Sequence, residues 1–212
     1  MGKYWIFDFD GTLVDSEKPI KKCYEKVTKA IAPSRVKNAE EVLIGPTLQE
    51  TTKLILGSEN SNQHEKFIAL FKKEYDENLL FETKPYLGVL ETLQQLIQRG
   101  DKLAIATNKR QEATLKLINH YGWSDYFHWI ACVGENNKEV KNKNELIMFY
   151  IKNNPQFSSA YFVGDTENDG TAAMQNNLNF IKVNFGYGQK QKWSNVNVYS
   201  SINNFNELTN IK

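Results

Sequence analysis

Asp8 and Asp10 stand two residues apart where the apolar run Tyr4-Trp5-Ile6-Phe7 ends, and Gly11 and Thr12 follow at once. Alternate side chains of a strand share a face, so the two carboxylates are expected on one side and Phe7 and Phe9 on the other. Like charges held that close cost electrostatic energy unless a cation or a shared proton offsets it. An acidic pair at the end of a buried strand therefore points to a metal site with hard oxygen ligands. Gly11 permits a tight turn there, whose backbone N–H groups can meet an anion. The plain alternative is an acidic turn after an edge strand.

Two further apolar runs end in the same way. Leu103-Ala104-Ile105-Ala106 runs into Thr107-Asn108, and Ala160-Tyr161-Phe162-Val163 runs into Gly164-Asp165. Ligands of open parallel sheets bind beyond the carboxyl ends of the strands. Asp8, Asp10, Thr107, Asn108, Asp165 and Asp169 are thus expected at one end of one sheet.

The elements that must position them follow from periodicity. Apolar residues at helical spacing predict helices over 88–99, 110–121, 144–153 and 169–176, with strands near 103–106, 127–131, 160–163 and 180–183 between them. A weak strand at 196–199 and a short helix at 205–208 close the chain, and a polar loop is expected over 134–142. Fully apolar strands alternating with helices indicate an α/β fold, a Rossmann-like parallel sheet with helices on both faces. Residues 16–83 break this rhythm. Ser16 as N-cap with Pro19 in the first turn, pieces over 39–56 interrupted at Gly45-Pro46, and a stripe over 63–80 read as an inserted all-helical subdomain. The expected organisation is a core of residues 1–15 and 84–212 with a helical insert at 16–83.

Composition narrows the function. A formal net charge of +1 supplies no global field for nucleic acid, so any phosphate must be met locally. No run of about eighteen apolar residues occurs, which argues against a membrane partner. Cys23 and Cys132, with no CxxC, read as reduced thiols in a cytoplasmic protein. His64, His120 and His128 are too scattered for a zinc motif, and neither GxGxxG nor GxxxxGK[ST] is present.

Four ordered stretches carry a family resemblance: Asp8-Phe9-Asp10-Gly11-Thr12-Leu13-Val14-Asp15-Ser16, Thr107-Asn108-Lys109, Val140-Lys141-Asn142-Lys143 and Gly164-Asp165-Thr166-Glu167-Asn168-Asp169. They resemble the motifs of the haloacid dehalogenase-like hydrolase superfamily, in its phosphoglycolate phosphatase-like branch with a helical cap. The resemblance implies that Asp8 is a nucleophile forming an aspartyl-phosphate and that Asp10 is the acid-base group. It implies that Thr107, helped by Asn108 and the Gly11 turn, binds phosphate. It also implies that Mg2+ is held by Asp8, the main-chain carbonyl of Asp10, and Asp165, with Asp169 nearby. A lysine is implied as counter-charge. Lys143, two residues before Glu145 and ahead of Leu146-Ile147, is preferred, and Lys141 is the alternative. Asn177 stands where relatives often have glycine, a position open to a left-handed asparagine.

The expected function is a Mg2+-dependent phosphatase acting on a small phosphorylated metabolite, as a monomer or homodimer. Lys18, Lys21, Arg35 and Thr47 are the insert's candidates for reaching substrate. A phosphoglucomutase-like phosphotransferase is the enzymatic alternative. A noncatalytic binding module, which would have lost Asp8, Asp10 or Asp165, is the other.

Overall fold

The first apolar run folds as the strand Tyr4–Phe7 (β1), with Trp5, Ile6 and Phe7 fully buried. Burial on both faces is what a strand inside a helix-covered parallel sheet requires. This structure, a computed structural model, describes residues 2–59, 61–134, 140–191 and 193–211. Two units divide it, Met1–Asp15 with Pro85–Lys212, and Ser16–Lys84. The chain passes between them through the two-residue strands Val14–Asp15 (β2) and Lys84–Pro85 (β3).

The unit Ser16–Lys84 is helical, with Glu17–Ile31 (α1), Val36–Glu41 (α2), Leu48–Leu56 (α3) and Ser61–Glu74 (α4). Pro19 is buried in the first turn of α1, where a missing N–H costs no helical bond. Cys23 and Val27 follow on the same buried stripe. Ser16 is the N-cap residue of α1, but its side chain makes no cap hydrogen bond. The aromatic rings of Tyr24, Phe71 and Tyr75 form a row, with centres 4.6 Å and 5.5 Å apart. Such pairs add to their area burial. Thr47 and Glu50 close a capping box on α3 after the Gly45-Pro46 break. The helix expected to reach residue 80 ends at Glu74 instead. A wide turn, Tyr75–Leu79, replaces its last part, and the Leu80 N–H donates to the Tyr75 carbonyl.

In the other unit, helices and strands alternate: Val89–Gln98 (α5), Lys102–Thr107 (β4), Gln111–His120 (α6), Phe127–Cys132 (β5), Lys143–Asn153 (α7), Tyr161–Gly164 (β6), Glu167–Gln175 (α8), Asn179–Val183 (β7) and Ser200–Ile202 (β8). The sheet order is β5-β4-β1-β6-β7-β8, and every neighbouring pair is parallel. Chain order therefore runs outward from β1 in one direction and then resumes on its other side at β6, the doubly wound arrangement. Ile6, Ala104, Ala106, Phe162 and Phe180 pack on one face against Leu146 and Ile147 of α7 and Ala172 and Ala173 of α8. Fully burying one of the larger of these side chains contributes about 1.5–3 kcal/mol.

Asp101 fixes the other end of β1. Its carboxylate accepts the Lys3 N–H at 2.8 Å, the Trp5 indole N–H at 2.8 Å and the Arg99 guanidinium at 2.5 Å. Burial alone would raise this carboxyl, but the Arg99, Lys3 and Trp5 hydrogen bonds outweigh it and hold it below its ordinary value.

The end of the chain departs from expectation. The last strand lies at Ser200–Ile202 rather than 196–199, because Ile202 is the residue that reaches the core and pairs with Val183. Val196 and Val198 pack against the core cluster without joining the ladder. The helix expected at 205–208 is a 3-10 segment, Phe205–Asn210. Asn177 adopts the left-handed conformation, with φ of 56°. Of the loop expected over 134–142, residues 135–139 lie outside the described residues.

Candidate active site

β1 lies between β4 and β6, and Phe7 is level with Ile105 on one side and Val163 on the other. The next residue, Asp8, donates its N–H to the Val163 carbonyl at 2.9 Å. Thr107 ends β4 and Asp165 follows β6, so three neighbouring strands deliver Asp8, Thr107 and Asp165 to one end of the sheet. That end, between β1 and β6, is where the strand order reverses and a crevice opens in doubly wound sheets. A tight turn follows Asp8: the Leu13 and Val14 N–H groups donate to the Phe9 carbonyl, and the Gly11 N–H to that of Val14. Gly11 has φ of 81°, and a Cβ there would stand 2.3 Å from Asp165 Oδ2. Only glycine lets this turn and Asp165 approach so closely.

Asp8, Asp165 and Asp169 are buried, and each offers a carboxylate oxygen within 4.8 Å of the others. Lys143, 2% exposed, places Nζ 2.9 Å from Asp8 Oδ1 and 2.5 Å from Asp169 Oδ1. Burial is the first cause that pushes the Asp8 carboxyl up to about 7, with the Asp169 charge adding to it and Lys143 opposing. Asp165 is held well above its ordinary value by burial and then by Asp169 and Asp8, against the Tyr187 N–H and Lys143. Burial disfavours the Lys143 ammonium, but Asp169 and Asp8 outweigh it and raise its pKa. Among the described residues, three buried acids face the one ammonium of Lys143, an excess of negative charge that draws in a cation.

Local caps hold these groups. Asn142 caps α7 by accepting the Glu145 N–H at 2.9 Å, which sets Lys143 as the first residue of the helix. An ammonium is unfavourable at a helix N-terminus, so the field of Asp8 and Asp169 must overcome the dipole as well. Thr166 and Asp169 form the capping box of α8, in which Asp169 Oδ2 accepts from the Thr166 N–H and Oγ1 at 2.9 and 2.6 Å. Asp169 is thereby aimed at Lys143. Lys141, the alternative lysine, is exposed, and its backbone N–H donates to Glu145 Oε2 at 2.7 Å.

Asp10 departs from the simple picture of two carboxylates sharing one cation. Its oxygens lie 3.0 and 3.1 Å from Lys109 Nζ, whereas Asp8 pairs with Lys143. Asp8 and Asp10 thus pair with different ammonium groups, and β1 ends at Phe7, before strand alternation can align the two carboxylates. Thr107 is buried, and its Oγ1 accepts the Lys109 N–H at 3.2 Å. Asn108 follows it, part-exposed, at the end of β4.

Sequence reasoning missed the segment after β7. The Tyr187 N–H donates to Asp165 Oδ2 at 2.6 Å. A Cβ at Gly186 would meet Asp165 Cβ at 2.3 Å and the Gly11 carbonyl at 2.4 Å. The available signal was Gly186-Tyr187-Gly188 soon after an apolar strand, a glycine spacing that permits close approach to neighbouring backbone.

A doubly wound sheet that gathers buried carboxylates and a lysine at its strand-order reversal defines an α/β enzyme core rather than a passive scaffold. The chain belongs to the haloacid dehalogenase-like hydrolase family, whose sequence model matches residues 5–183. It is 27% identical to a phosphoglycolate phosphatase of Photobacterium profundum over 220 residues, spanning 99% of this chain and 95% of that one. It is 25% identical to the tyrosine-protein kinase PtkA of Mycobacterium tuberculosis over 185 residues, 87% of this chain and 62% of the other. The solved structure of a predicted phosphoglycolate phosphatase from Haemophilus somnus superposes with a TM-score of 0.84 at 22% identity, covering 99% of this chain and 97% of that one. The likeness to that structure speaks for the fold alone. Among the described residues, no helix is long and apolar enough to cross a membrane.

Proposed function

We propose that this protein is a Mg2+-dependent phosphatase that hydrolyses a small-molecule phosphate monoester through an aspartyl-phosphate on Asp8. The observation that carries the reading is Lys143 Nζ, buried 2.9 Å from Asp8 Oδ1. A phosphate dianion approaching a carboxylate meets like charge, about 4 kcal/mol per pair of unit charges at 4 Å in an effective dielectric near 20. A fixed ammonium offsets that repulsion where it arises.

In the first step an Asp8 oxygen bonds to phosphorus. The bond from phosphorus to the alcohol oxygen breaks with its electron pair, and Asp10 gives that oxygen its proton. In the second step water yields a proton to Asp10 and its oxygen bonds to phosphorus. The bond between Asp8 and phosphorus breaks, its electrons return to the carboxylate, and inorganic phosphate leaves. Thr107 spends an acceptor site on the Lys109 N–H, which suits its own O–H to donate to a phosphoryl oxygen. Asn108 and the Gly11 turn assist in binding phosphate.

The acids fit a hard divalent cation: carboxylate oxygens converge, all three groups are buried, and among the described residues the Lys143 ammonium alone leaves their charge uncompensated. Asp8, Asp165 and the main-chain carbonyl of Asp10 would hold Mg2+. Asp169 stands beside them with Oδ1 engaged by Lys143 and Oδ2 by Thr166, an anchor for the lysine as much as a ligand. When bound, the ion supplies positive charge against the phosphoryl oxygens. We also read the helical insert, residues 16–83, as the cap subdomain that selects the leaving group, and the protein as acting in the cytoplasm.

Relatives named phosphoglycolate phosphatase favour a small phosphorylated acid as substrate. The test is phosphate release from phosphoglycolate and from nucleoside, sugar and amino-alcohol phosphates, with Mg2+ and with a chelator. Metal-dependent release from at least one monoester is expected, and silence across the panel would remove the assignment. The kinase among the relatives favours one second reading, transfer of the same phosphoryl group to another hydroxyl. A phosphorylated acceptor in place of free phosphate would select it.

The Gly186 contact yields a further expectation. Gly186→Ala should misplace Asp165 and lower turnover by about 100-fold, with a higher Mg2+ concentration needed for half-maximal rate. Metal titration of the variant's activity, beside a thermal melt, checks this. An unchanged metal response would count against a role for this segment in holding Asp165.

A further inference from the structure

Lys109 has no part in the chemistry above, yet its side chain is only 5% exposed, and its ammonium lies 3.0 and 3.1 Å from the two oxygens of a largely buried Asp10. Burying a lysine costs hydration and rotamer freedom, and a salt bridge so placed is weak evidence of added stability. Its location is more informative. Lys109 is the residue of the Thr107-Asn108-Lys109 stretch to which no role has been given, and its backbone N–H donates to Thr107 Oγ1 at 3.2 Å. One residue therefore ties the end of β4 to the turn after β1. Its main chain holds a phosphate-binding hydroxyl and its side chain holds the acid-base carboxylate.

We infer that Lys109 is a positioning residue for Asp10, gripping both carboxylate oxygens so that the acid-base group keeps a fixed place beside Asp8. The inference rests on the phosphatase reading given above. Two oxygens held by one ammonium fix the rotation of the ionised carboxylate about its terminal bond, and in the acid step the oxygen that keeps the Lys109 contact leaves the other, carrying the proton, aimed the same way. A proton donor must lie within hydrogen-bond reach of the leaving oxygen, so this restriction bears on the step in which the alcohol departs.

The experiment exploits leaving groups. An alkyl phosphate expels a strongly basic oxygen that needs the proton from Asp10, whereas p-nitrophenyl phosphate expels a weakly basic one that needs little help. The ratio kcat/KM reports the steps up to loss of the alcohol or phenol, so it isolates this event. Lys109→Met should lower kcat/KM by about 100-fold for the best alkyl substrate and by less than about 5-fold for the aryl one. Lys109→Arg should recover part of the alkyl loss. Asp10→Asn should show the same selectivity, and adding Lys109→Met to it should cost little more, because the two residues act as a unit.

Equal losses on both substrates, or losses that simply add in the double variant, would overturn the inference. So would failure of both Lys109 variants to fold, which would assign the residue to stability. Absence of phosphate release from the unmodified protein is a separate outcome: it sinks the phosphatase reading on which this role depends.

Discussion

Asp8→Asn should abolish turnover while leaving a folded protein, with a loss in kcat of about 10,000-fold or more. Asparagine preserves the volume at the end of β1 but has no anionic oxygen to attack phosphorus. Phosphate release on the best substrate measures the loss, and turnover retained at the wild-type rate would place the nucleophile elsewhere. A second readout is independent of catalysis. Burial first, and Asp169 second, push the Asp8 carboxyl up to about 7, whereas an unfolded aspartate titrates near 3.9. Between those values the unfolded chain has released its proton while the folded protein still binds one. Stability of the metal-free protein must therefore fall as pH rises from about 4 to about 7. Asp165 is raised in the same sense and adds to the slope. The variant has no proton to lose at position 8, so its melting temperature should gain on that of the wild type as pH rises from about 5 to about 8 in chelator. Parallel melting curves would show that Asp8 is not held protonated by its surroundings. With Mg2+ present the order should shift back, since binding to the folded state stabilises it and the variant puts a neutral amide where the proposed site has an anionic ligand.

The sheet was legible because its strands are apolar on both faces and end in polar residues, a pattern that Phe7-Asp8, Ala106-Thr107 and Val163-Gly164-Asp165 all display. The convergence of Asp8, Asp165 and Asp169 follows once these strands are parallel neighbours. Spacing alone separated the two lysines weakly. The stronger signal was that Lys143, Leu146 and Ile147 share one helix face, and all three are buried while Lys141 precedes the cap. The partnership of Asp10 with Lys109 was hidden because it spans 99 positions and depends on β4 lying beside β1. Tyr187 met Asp165 for the same kind of reason: the segment after β7 turns back across the end of β6, which no local pattern announces. At 196–199, alternating valines that pack on a core and alternating valines in a ladder look alike, and only the partner strand distinguishes them.

Lys143→Met should be the most destabilising single change in the site, although it replaces a buried charge by an apolar chain of similar length. The ammonium is what makes Asp8 and Asp169 tolerable in a place closed to water, and removing one partner of a buried ion pair costs about 3–5 kcal/mol. Asp169 cannot turn away to solvent, because its other oxygen is held by the Thr166 N–H and hydroxyl. The relief open to the variant is protonation. Without Lys143, which opposes the upward push on both, the folded Asp8 and Asp165 carboxyls rise further above their unfolded values. The penalty should then be largest near pH 8 and shrink as pH falls toward about 5, where the carboxyls take up protons in the folded state. Lys141→Met is the matched control: its side chain is exposed, and the expected change is within about 0.5 kcal/mol at either pH. Urea unfolding of both variants in chelator at the two pH values decides the matter. Equal, pH-independent losses would mean that Lys143 stabilises by packing rather than by charge. Activity should divide the same way, lost in Lys143→Met even where acid has restored its stability, because a protonated Asp8 is no nucleophile and an ionised one has no ammonium to shield the incoming phosphate.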